Sequence, residues 1–63
     1  MFEQAILAER FASLLTEQQS AERMYADLVP RITDPRLREQ IEQLHREKQR
    51  HIELTERLLE IVA

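Results

Sequence analysis

Apolar residues recur along this chain in alternating steps of three and four. In the first half the stripe reads Leu7, Phe11, Leu14, Gln18, Ala21, Tyr25, Leu28, Ile32. In the second half it reads Leu37, Ile41, Leu44, Lys48, His51, Thr55, Leu58, Val62. This near-heptad rhythm predicts two helices with knobs-into-holes seams. Further apolar residues flank both stripes: Ala8, Leu15, Met24 and Val29, then Ile52, Leu54, Leu59 and Ile61. A stripe that wide exceeds what one sister helix covers.

The break between the helices falls at LVPRITDPRL. Pro30 lacks a backbone donor and biases Val29 away from helical geometry. Asp34 can cap the free N–H groups of a following helix, with Thr33 as the alternative cap, and Pro35 suits the first helical position. One domain over residues 1–63 follows: helix 1 over about 3–30, a turn over about 31–34 and helix 2 over about 35–62. The short connection makes the pair an antiparallel hairpin. Phe2 and Ile6 are expected to meet the Leu58–Val62 region.

Composition supports an all-α fold. Glycine is absent, so tight strand hairpins lack their usual turn residues. With no cysteine, disulfides and thiolate metal sites are excluded. A chain of 63 residues buries little apolar surface alone. The expected solution is two hairpins forming a four-helix bundle, in a dimer or higher homo-oligomer.

A net charge of -3, with both signs interleaved around Glu42, Arg46, Glu47, Lys48, Arg50 and Glu53, leaves no nucleic-acid footprint. The opening MFEQAILAER has no basic stretch and no long apolar run. Neither a signal peptide nor a membrane span is expected, and the default location is cytoplasmic.

Gln18, Lys48, His51 and Thr55 interrupt the seam. Facing positions in a hairpin centred near residue 34 sum to about 68. Glu17, Gln18, Glu22, His45, Glu47, Lys48 and His51 therefore form a band across its middle. The structural expectation is a core polar layer of Gln18, Lys48, His51, Thr55 and Tyr25. In it His51 hydrogen-bonds Gln18 or a carboxylate, the Lys48 stem lies along the bundle with its ammonium reaching water or paired with Glu22 or Glu17, and the Tyr25 hydroxyl finds a polar partner. Semi-exposed His45, taken alone, points to nothing. No Ser/His/Asp or Cys/His arrangement and no glycine-rich phosphate loop is present, so nucleophilic catalysis has no support.

Three features resemble the ferritin-like superfamily, in particular its rubrerythrin-type and encapsulated-ferritin half-bundles. They are Gln18-x-x-Ala21-x-x-x-Tyr25, the Thr33-Asp34-Pro35 turn and Lys48-x-x-His51. The family pattern is Glu-x-x-Ala-x-x-x-Tyr followed by Glu-x-x-His, whose carboxylates and histidine bind iron between paired hairpins. The resemblance places the family ligand positions at Gln18, Lys48 and His51, of which only His51 keeps a ligand type. It implies an assembly or interaction protein without a standard di-iron site, and no cofactor. Its partner would be another copy, a metal-competent relative or a larger protein shell. Encapsulated ferritins carry a C-terminal targeting segment beyond the bundle; this sequence ends at Ala63 without one. The alternative is an iron-binding, ferroxidase-like protein with a shifted site of His51, Glu47 and Glu22 or Glu17 at a dimer interface. Glu47 and His51 are four apart on one helical face, and carboxylate plus imidazole suits iron.

Overall fold

Two long helices run antiparallel in the computed structural model, which describes residues 2–63, Phe2 by its backbone alone. Helix α1 spans Phe2–Leu28 and helix α2 spans Pro35–Val62. The expected contact of the Phe2 side chain lies outside the described residues.

Proline shapes the turn. The α-helical ladder stops at Leu28, two residues before Pro30, and the chain tightens into a 3-10 turn over Val29–Arg31. Helix 1 thus gives way at its last residues to the tighter winding that a missing N–H allows. The Ile32 N–H donates to the Val29 carbonyl at 3.3 Å, and Ile32 is extended at φ -92°, ψ 123°.

Asp34, not Thr33, caps α2. Its Oδ1 accepts from the Arg36 N–H at 3.0 Å, and Pro35 follows as the first helical residue. A carboxylate there satisfies one orphan donor and complements the helix dipole.

The hairpin is long and thin, with Cα extents of 50 × 14 × 11 Å. Its radius of gyration is 14.8 Å, against about 10.6 Å for a compact domain of this length. Among the described residues no apolar side chain is fully buried, and the one buried residue is Thr55, 3% exposed. Two helices in contact along one line shield only the facing sides of each other.

Half-buried residues trace that line. On α1 and the 3-10 turn after it they include Ala8, Phe11, Leu15, Gln18, Ala21, Glu22, Tyr25 and Val29; on α2 they include Ile41, His45, Lys48, Ile52, Leu58, Leu59 and Val62. Taking Phe11, Gln18 and Tyr25, and Ile41, Lys48 and Thr55, as heptad position a, the contact line runs through a and e. The sequence stripe placed it through a and d. The seam inside the hairpin is therefore turned, because e lies about 40° to one side of a and d about 60° to the other.

Candidate functional site

At the middle of the seam the two helices are tied by one side-chain bond. His45 Nε2 lies 2.6 Å from Glu22 Oε1, and both side chains are largely shielded, at 22% and 23% exposure. A carboxylate only accepts, so the imidazole N–H is the donor. Both residues occupy position e. Their numbers fix the facing relation in the hairpin one residue from that expected. His45, which pointed to nothing in the sequence, is the histidine that joins the helices. Pairing residues across the turn sets it in one band with Glu22, although the stripe gives no reason to prefer it to His51.

The rest of the expected polar layer separates. Gln18, Lys48 and Tyr25 are half-buried and Thr55 is buried, but His51 is exposed. It belongs to position d, which the turned seam leaves outside the hairpin except at Ala21 and Leu58. Among the described residues His51 bonds neither Gln18 nor a carboxylate, and Lys48 pairs with neither Glu17 nor Glu22. Gln18 Oε1 is buried with no partner. An unpaired buried carbonyl costs about 1–3 kcal/mol.

The candidate ligands are divided between two faces. Glu22 is held by His45 at position e. Glu17 and His51 are exposed and Glu47 is half-buried, at positions g, d and g on the opposite side. Among the described residues no group of three or more His, Cys, Asp or Glu side chains is arranged to hold a metal ion within one hairpin.

The side carrying d and g is also where the exposed apolar residues gather. Leu7, Leu14, Leu28, Leu37 and Leu44 are exposed at d; Met24, Leu54 and Ile61 are exposed at g; among the described residues Ile6 is the one large exposed apolar residue elsewhere. An antiparallel pair is related by a pseudo-two-fold axis normal to the plane of its helices. Equivalent heptad positions of α1 and α2 therefore share one face. The result is a single apolar face along the hairpin, with Glu17, Glu47 and His51 at its waist.

A shallow groove lies on the opposite side, between Gln19 and Glu22 of α1 and Gln49, Ile52, Glu53 and Glu56 of α2. No helix of the described residues is long and apolar enough to cross a membrane.

No protein-family model, curated protein or solved structure matches this chain.

Proposed function

We propose that this protein is an assembly module, a ferritin-like half-bundle that completes its fold by joining other helices through the d/g face. The observation that carries this reading is that, among the described residues, no apolar side chain is buried while eight large ones are exposed on one face. A small helical chain with no disulfide and, among the described residues, no buried apolar side chain has little else to oppose the entropy of folding.

The surface area points the same way. The hairpin exposes 5217 Å², about 900 Å² more than the roughly 4,300 Å² of a compact monomer of 7.6 kDa. A standard protein interface hides about 800 Å² on each partner. A homo-oligomeric four-helix bundle in the cytoplasm fits these features, with a metal-competent relative or a larger shell as the other partners the same face would accept.

The ferritin-like part of the reading rests on the spacing of Gln18, Ala21 and Tyr25, the Asp34-Pro35 turn, and Lys48 with His51. The chemistry at those positions argues against a standard di-iron site. An amide is a poor iron ligand, and an ammonium repels the metal. The test is a charge on the apolar face. Leu14→Glu with Leu44→Glu is expected to lower association by more than about 100-fold, since each buries a carboxylate in the interface. Unchanged association of that double variant, measured by sedimentation, would place the contact elsewhere.

A second reading has one observation in its favour: Glu17, Glu47 and His51 share the face at which a partner would dock. Two copies would bring these groups together twice, as a ferroxidase-like iron site requires. Glu22 is the candidate this arrangement leaves out, since His45 holds it on the other side. Anaerobic Fe(II) titration followed by air exposure separates the readings. Stoichiometric binding and rapid oxidation would favour the iron site; binding no better than in a His51→Ala, Glu47→Gln variant would remove it.

A further inference from the structure

Resting on the assembly reading, we infer that the occupant of the d/g face is a second copy of this chain, turned end over end. In this dimer α2 packs antiparallel on α2 of the second copy about a two-fold axis near Gln49, and the turn of each hairpin lies beside the open end of the other.

Two face-to-face arrangements keep two-fold symmetry and antiparallel neighbours. In one, both turns lie at the same end and α1 covers α2 of the second copy at equal height. The facing relation fixed by Glu22 and His45, whose numbers sum to 67, brings Leu7 near Leu58, Ala21 near Leu44 and Leu28 near Leu37 at position d, and leaves the nearest pairs at position g summing to 64. Glu3 meets Ile61, Arg10 meets Leu54, Glu17 meets Glu47 and Met24 meets Gln40. Three of these bury a polar or charged group against an apolar one, and the fourth sets two carboxylates together. Each is unfavourable when desolvated.

The end-over-end arrangement pairs d of α2 with g of the second α2. Leu44 meets Leu54, Leu37 meets Ile61 and His51 meets Glu47, each pair formed twice. Leu58 against Gln40 is the one mixed pair along this line. On α1 the same rotation brings Leu7 to Leu28 and Leu14 to Ala21, with Glu3 beside Arg31 at the ends. Glu17 meets its own copy at the centre and Arg10 meets Met24, the two unfavourable contacts that remain. Apolar groups thus meet apolar groups and opposite charges meet across most of the face, the match that selects one arrangement over another. The centres required on α1 and on α2, near Glu17 and near Gln49, also lie at the same height in the hairpin.

The absence of native cysteine makes the test direct. Leu44 and Leu54 are exposed in the hairpin, so replacing both by cysteine leaves its seam untouched. Within one helix they are about 15 Å apart, beyond the roughly 7 Å limit of a disulfide. Under mild oxidation Leu44→Cys/Leu54→Cys is expected to form a covalent dimer at least about tenfold faster than either single variant, because the dimer holds each thiol at high effective concentration. Leu37→Cys/Ile61→Cys should behave alike, and circular dichroism checks that both remain helical. Equal rates for double and single variants in a protein that still sediments as a dimer would overturn the end-over-end arrangement and leave the assembly reading standing. Faster cross-linking of Arg10→Cys/Leu54→Cys would assign the arrangement with both turns together. A folded monomer would remove both proposals.

Discussion

Gln18 and Glu22 lie one helical turn apart and show opposite ways of treating a polar group in the seam. Glu22 finds His45 across the hairpin at 2.6 Å. Gln18 keeps its carbonyl buried without a partner. Replacing Gln18 with Leu removes the unpaired group at similar volume, so denaturant melts should show stabilisation by about 1–2 kcal/mol. Loss of stability would show that the amide has a partner in the assembled protein. The Glu22–His45 bond should give a coupling of about 1 kcal/mol in a double-mutant cycle with Glu22→Gln and His45→Ala. A coupling near zero would mean that apolar packing alone sets the helix pairing. Periodicity along the chain identified Gln18, Lys48 and Thr55 as interruptions of the stripe. It also placed His51 in the seam and passed over His45, whereas His51 is exposed and His45 faces Glu22, because the choice depends on which side of a broad stripe turns toward the sister helix.

Each helix carries its own boundary signals. Pro30 ends one and Asp34-Pro35 starts the other, so the two elements and the turn were legible from local chemistry. The 3-10 winding of Val29–Arg31 was not, since a proline says that the ladder stops but not how the chain tightens before it. Asp34→Ala should cost about 1 kcal/mol by removing the cap on Arg36, read as a lower denaturation midpoint at fixed protein concentration. Asp34→Ser should recover most of it. The seam was legible as a stripe but not in its angle. Positions e, a, d and g of α2 all hold apolar residues, and a hairpin can bury only part of that arc. The side turned inward is marked by Glu22 and His45, a match between residues far apart in sequence.

Across the whole hairpin, the fold and the apolar face it leaves exposed have the same cause. The apolar residues that the hairpin does not use are gathered on one face, with Ile6 the exception. The surplus was legible in the breadth of the sequence stripe. Its location was not, because it follows from the angle of the seam. Above all, we propose that this chain folds as an assembly rather than alone. Sedimentation equilibrium of the full chain, combined with helicity measured by circular dichroism across a dilution series, tests it most directly. The expected result is a species of at least twice 7.6 kDa whose helicity and melting temperature fall together on dilution. A fully helical species of 7.6 kDa, with melting independent of concentration, would contradict it.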